Sequence, residues 1–146
     1  MSASTKLSTA VKALCYLAES YPDPKSSTQI SNRIGANASK LRQLLSMLSK
    51  QNIVKSEKGI SGGFILTKSP KVLHMQEIYC AIEDRKAFHL DVCQSNGENV
   101  TETEKFNSYF VDLFADVQID IENKMRNITI LKIMESLNIP SNYDNK

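Results

Sequence analysis

The chain has 146 residues, 41% hydrophobic and 23% charged, the balance of a soluble protein built around one core. It holds no apolar run of roughly eighteen residues, so no membrane span is expected, and its first ten residues, MSASTKLSTA, lack the apolar stretch of a secretion signal. The net charge of +2 hides a split. Residues 1–74 carry eleven Lys and Arg against three acids, and residues 75–146 carry seven against thirteen. A basic first half suggests that one surface meets a polyanion, and an acidic second half suggests a different task.

Leu7, Val11, Leu14, Ala18 and Tyr21 recur at three or four residues, one helical stripe. Pro22-Asp23-Pro24 ends it, because proline cannot continue a helix and unsettles the residue before it. Ser26-Ser27-Thr28-Gln29 offers N-caps for a short second helix with Ile30 and Ile34, stopping at Gly35. Asn37-Ala38-Ser39 opens a third, whose apolar face is Leu41, Leu44, Leu45 and Leu48, and Gln51-Asn52 closes it. Residues 53–58 and 64–67 are short strand-like runs around the segment KGISGGF, which holds three of the five glycines of the chain. Together they predict a β-hairpin.

Met75, Ile78, Tyr79 and Ile82 predict a fourth helix, and residues 91–103 a polar loop. Residues 104–126 predict a long helix with a broad apolar face of Phe106, Tyr109, Phe110, Leu113, Phe114, Val117, Ile121 and Met125. At about 1.5 Å per residue it outreaches a small domain. One strip is therefore expected to bury on its own chain and another on a partner. Thr129 to Leu137 form a last short helix before Pro140. The fold class is mainly α with a small β-hairpin: a winged helix-turn-helix plus a long C-terminal dimerisation helix. The expected division is 1–84 for the winged domain, 85–103 for a loop that is a candidate sensor region, 104–140 for the dimerisation and terminal helices, and 141–146 for a tail.

The third helix turns Ser39, Arg42, Gln43, Ser46 and Lys50 away from its leucines, with Lys40 at the flank, and carries no carboxylate. A merely solvated face mixes both signs. Ser39 and Lys40 in the first turn suit phosphate. Arg42 and Gln43 suit base edges, Arg bidentate to guanine and Gln to adenine. Lys55, Lys58 and Lys68 charge the hairpin, Lys58 being the best placed for a phosphate. The glycines admit two readings, turn geometry alone or a tip that must approach DNA closely.

KLSTAVKALCYLA, and then STQISNRIGANASKLRQLLSMLSKQNIVKSEKGISGGFILTKSPKVLHMQEIYCAIED, resemble the Rrf2 family of bacterial transcriptional regulators. The wing tip Gly59-Ile60-Ser61-Gly62-Gly63-Phe64, the long helix and the terminal TILKIMESL fit as well. The resemblance implies a cytoplasmic homodimer that binds a two-fold symmetric double-stranded DNA operator and usually represses. The DNA-contact set is then Thr28, Asn37, Ser39, Lys40, Arg42, Gln43, Lys58, Ser61, Gly62 and Gly63. The dimerisation set is Phe106, Phe110, Leu113, Val117 and Ile121. Arg42 stands where the family often has glutamate, so the family operator is not carried over.

The best-known members hold an iron–sulfur cluster on three loop cysteines. Here residues 88–103 contain only Cys93, and no cluster or other metal is expected, since a cluster takes about four ligands. Cys15 and Cys80 lie beside apolar residues and read as small core hydrophobes. Cys93, in a polar loop, suits a redox or electrophile signal, with His89 able to lower its pKa. The candidate sensor set is thus Cys93, His89 and Cys15, and the signal is an oxidant or a small molecule. His74 reads as structural or solvated. The alternatives are an iron–sulfur or metal-responsive regulator of the same fold and a winged-helix protein-interaction module. No nucleophile motif, phosphate loop or metal-ligand cluster points to an enzyme.

Overall fold

The computed structural model describes residues 2–83 and 101–144. In chain order these form α1 (Ala3–Ser20), α2 (Ser27–Ile34), α3 (Ala38–Lys50), β1 (Val54–Glu57), β2 (Gly63–Leu66), α4 (Met75–Ile82), α5 (Glu102–Arg126) and α6 (Ile130–Ser136). The helices and strands follow the predicted order, and most of the predicted loop 91–103 lies outside the described residues.

Local chemistry accounts for most boundaries. Ser2 caps α1 by accepting from the Thr5 N–H, and the helix stops at Ser20, just before the cis Tyr21-Pro22 bond. Tyr21, expected inside the helix, is its C-terminal cap instead, since proline at 22 disfavours helical geometry one residue earlier. α2 opens with a capping box in which Ser26 and Gln29 satisfy each other's backbone N–H. It ends where Gly35 turns left-handed and donates to the Ser31 carbonyl. Asn37 caps α3 through the Lys40 N–H. β1 and β2 pair antiparallel, Val54 opposite Leu66 and Glu57 opposite Gly63.

The core gathers α1 (Ala10, Ala13, Leu14, Leu17, Ala18), Ile30 of α2, the four leucines of α3, Ile53, Val54, Leu66, Leu73, and Ile78 and Ile82 of α4. Burying each large aliphatic side chain is worth about 1.5–3 kcal/mol. Ile130 and Met134 of α6 are fully buried in the same cluster. The expected division lists α6 with the dimerisation helix; its buried residues pack with those of the winged domain. A helix of seven residues cannot bury its own apolar stripe, and the α5–α6 link is strapped to the segment before α4. Met75 donates to the Ile128 carbonyl at 2.8 Å, and Ile130 donates to the Leu73 carbonyl at 2.9 Å. The segment after α6 docks too. Asn142 donates to the Ala18 carbonyl, and the Tyr143 hydroxyl donates to the Thr67 carbonyl.

α5 behaves differently. It has 25 residues, about 37 Å of helix, and packs chiefly on α4. Gln118 is its one buried residue. Phe106 and Tyr109 are 59% and 63% exposed, and Phe110 and Leu113 are exposed as well.

Candidate DNA-binding interface

α3 turns its leucines inward, so its other face is fixed by helical geometry. Ser39, Lys40, Arg42, Gln43, Ser46 and Lys50 are all exposed. No acidic residue stands in the first turn of α2 or of α3. Both N-termini therefore present partial positive charge with no carboxylate to neutralise it. Lys40, Arg42, Lys50 and Lys58 make no salt bridge among the described residues. Thr28 is exposed in the first turn of α2. Asn37 is also exposed, but its side-chain oxygen is engaged by the Lys40 N–H at 3.1 Å, so it holds the end of α3 in place.

The hairpin charge is narrower than the sequence implied. Lys68 lies beyond β2 and its ammonium is bonded to the Glu77 carboxylate on α4. Lys55 faces Glu57 at 3.8 Å. Lys58, exposed next to the tip, is left as the unpaired cation of the wing. Ile60 is fully outward and Ser61 is exposed.

Two of the wing glycines answer to the protein itself. A Cβ on Gly63 would lie 2.4 Å from the Lys25 carbonyl carbon, and one on Gly62 would lie 2.2 Å from the Glu57 carbonyl oxygen. Both approaches are far below any side-chain contact. At Gly63 the cause is a bridge that the sequence did not signal. Lys25 donates to the Phe64 carbonyl at 3.0 Å and accepts from the Phe64 N–H at 2.7 Å. This bridge ties the root of the wing to the residue before the cap of α2. It sets the hairpin beside the first turn that carries Thr28. Gly63 also has a positive φ of +153°; Gly59, with φ +117°, differs in that nothing lies within 4 Å of its absent side chain. Phe64 packs against the core and anchors the wing.

The cysteines divide. Cys15 is 6% exposed, and burial, helped by the Glu19 carboxylate, pushes its thiol up to about 11. It is thus held as a neutral thiol at ordinary pH. Cys80, expected in the core, is exposed. It sits on the side of α4 away from Ile78 and Ile82, and the Gln76 amide donates to its sulfur at 3.2 Å. Gln76 itself is buried with its side-chain oxygen unmatched among the described residues. His74 is structural, its Nδ1 accepting from the Glu77 N–H to cap α4. Cys93 and His89 lie outside the described residues. Among the described residues no three His, Cys, Asp or Glu side chains come together to hold a metal. No described helix is long and apolar enough to cross a membrane. Of the dimerisation set, Phe106, Phe110 and Leu113 are exposed and Val117 and Ile121 are half-buried.

A short capped helix, a turn at a left-handed glycine, a second helix with an acid-free polar face and a strapped hairpin make a winged helix-turn-helix of the DNA-binding class. The chain belongs to the Rrf2 family: the family model, described as an iron-dependent transcriptional regulator, matches residues 3–136. It is a DNA-binding transcriptional regulator. Among solved structures it is similar to IscR of T. potens, at 25% identity over 94% of this chain and 88% of the other, with a TM-score of 0.70. It is also similar to CymR, the global cysteine regulator of B. subtilis, at 20% identity over 93% and 96%, with a TM-score of 0.67. The oxidised form of CymR from Staphylococcus aureus matches at 18% over 92% and 97%, with a TM-score of 0.65. No curated protein matches the chain.

Proposed function

We propose that the protein works in the cytoplasm as a homodimeric repressor, binding its operator with α3 in the major groove and the wing against the adjacent backbone. The observation that carries this is the face of α3, where Arg42 and Gln43 stand exposed with no acidic neighbour on the helix. Arg42 and Gln43 read base edges; Ser39, Lys40 and Lys58 hold phosphates. The exposed aromatic strip of α5 supports a dimer, because water-facing Phe106, Tyr109 and Phe110 on one helix are costly unless a second copy covers them. The two α3 helices would then lie about 34 Å apart, one turn of DNA. Nothing in this arrangement calls for catalysis, and the proposal is of a binding protein rather than an enzyme.

The description of the family includes iron dependence, yet the donor set here does not fit a cluster. The chain has three cysteines in all, whereas iron–sulfur clusters take about four such ligands. Cys15 is sealed in the core of α1 and Cys80 sits on α4. We therefore propose a regulator that carries no cluster and takes its signal through a thiol or a small molecule. Cys93 with His89 remains the candidate thiol site, and Cys80 is an accessible second thiol. That CymR of Staphylococcus aureus, a protein of this fold, is known in an oxidised form supports an oxidant as the signal.

The test is a band-shift titration with DNA from upstream of the gene and with random DNA at one salt concentration. Preference for the upstream DNA by about a thousandfold or more is expected; equal affinity would sink the repressor reading. Repeating it against hydroperoxide with Cys93→Ser and Cys80→Ser separates the two thiols. A wild-type response in both variants would reject thiol sensing.

A further inference from the structure

A cavity of about 290 Å3 lies away from the DNA-facing side of α3. α2 and α6 both pack on α1, and the cavity occupies the gap between them. Its walls are apolar: Val11 on α1, Ile34 on α2, Ile133 on α6 and Ile139 just beyond. Three charged side chains stand among these walls. Arg33 is accounted for, since its guanidinium lies 3.5 Å from the Glu19 carboxylate and 5.6 Å from the centre of the Tyr16 ring. Lys12 is not: it makes no salt bridge among the described residues. Cys15 completes the floor as a neutral, desolvated thiol. The site therefore offers a mainly apolar volume, one matched ion pair and one unmatched ammonium. Ligand sites are built in this way, with mostly apolar walls and a few polar groups that fix orientation.

We propose that this cavity binds a small amphipathic monoanion, a carboxylate on a short hydrocarbon body. The carboxylate pairs with Lys12, and the body lies between Val11, Ile34 and Ile133. Charge complementarity selects the head, because a cation would meet Lys12 unfavourably and a neutral head would gain no ion pair from its ammonium. One wall belongs to the first helix of the DNA-reading pair and the other to the helix that follows α5. An occupant therefore sets the separation of α2 and α6, and through α2 the pose of α3. That consequence rests on the repressor reading; the binding itself rests on the cavity alone.

The full chain, labelled at isoleucine methyl groups, is titrated by nuclear magnetic resonance with sodium octanoate and separately with 1-octanol. Octanoate is expected to shift Ile34, Ile133 and Ile139. Lys12→Gln, at an exposed position, is expected to weaken octanoate about tenfold while leaving octanol within about twofold. Val11→Trp, checked for folding by its thermal transition, should abolish both. The proposal is overturned by silence at those three methyls up to about 10 mM ligand. Shifts confined to Ile119 on α5 also overturn it, as does equal loss of both ligands in Lys12→Gln. A Val11→Trp protein that falls apart into monomers would overturn it in favour of a second copy seated in the gap. If octanoate binds as expected and operator affinity does not change, the site stands and its control of DNA binding falls. If no operator is bound in any state, the repressor reading falls without touching the site.

Discussion

The outer faces of α3 and α5 are both left open to water, and they are opposites in chemistry. α3 keeps its four leucines inside its own chain and shows water a polar, cationic face with Met47 as its one large apolar side chain. α5 shows water phenylalanine, tyrosine and leucine, and buries a glutamine. An open cationic face costs the folded monomer little, because ammonium and guanidinium groups hydrate well. It remains available to a polyanion whose counterions can be released. An open aromatic strip costs the monomer free energy until it is covered. The first face is suited to a partner that comes and goes with salt and signal, the second to a permanent one. This contrast supports the proposed pairing of α3 with DNA and of α5 with a second copy.

The largest expected effect breaks the α5 half of this contrast. Leu113→Glu places a charge in the middle of the strip. It should convert dimer to monomer in sedimentation equilibrium and lower operator affinity about a thousandfold, through loss of one half-site. An intact dimer would show that the strip is covered in some other way. Next comes α3 itself. Arg42→Ala and Gln43→Ala should each cost about 1–3 kcal/mol of operator binding, relaxing preference at one base pair without altering the dimer. Uniform weakening on all sequences would demote them to phosphate contacts.

The wing is tested through its two kinds of glycine. Gly63→Ala forces a methyl onto the Lys25 carbonyl group, and should lower stability by about 1–3 kcal/mol, read from the thermal midpoint. Gly59→Ala meets no atom and carries only the penalty of a positive φ, about 1 kcal/mol. If Gly59→Ala were the more damaging to folding, the strap from Lys25 to Phe64 would not be what demands glycine.

The smallest effect concerns Cys15. Its folded pKa of about 11 lies above the ordinary 9.0. The folded state therefore keeps a proton that the unfolded state has lost. This contribution to stability is complete below about pH 9 and disappears as pH rises through about 11. Denaturant melts across that window should show the decline, and Cys15→Ala should flatten it. Iodoacetamide at pH 8 should likewise modify Cys80 before Cys15. Reaction in the reverse order would mean that the core around α1 opens readily.

Much of the fold was legible because its signals are local. The leucines at 41, 44, 45 and 48, the Ser26–Gln29 capping pair and the left-handed Gly35 each act within a few residues of chain. The acid-free face of α3 could be read from the same periodicity. What could not be read depends on meetings between distant segments. Lys68 looks like a wing cation until Glu77 is found beside it. That the backbone at Glu57 and Lys25 lies against Gly62 and Gly63 is likewise invisible until those segments meet. Cys80 follows an apolar pattern, but one position of helical phase puts it outside. The period of Ile130, Ile133 and Met134 marks an apolar stripe on α6 but not which core receives it, and the docking of Asn142 and Tyr143 behind it has no periodic signature at all.

Periodicity, capping chemistry and charge along the chain were enough by themselves to determine a winged helix-turn-helix with an acid-free, basic face on α3 and a long helix with a broad apolar face. These properties depend on neighbours within one or two turns, which the sequence spells out. The tertiary structure alone decided which cations stay unpaired, which glycines are obligatory and which thiol is sealed. It also decided where a small cavity opens between α2 and α6. Each of these depends on which distant backbone and side-chain groups are brought within a few ångströms.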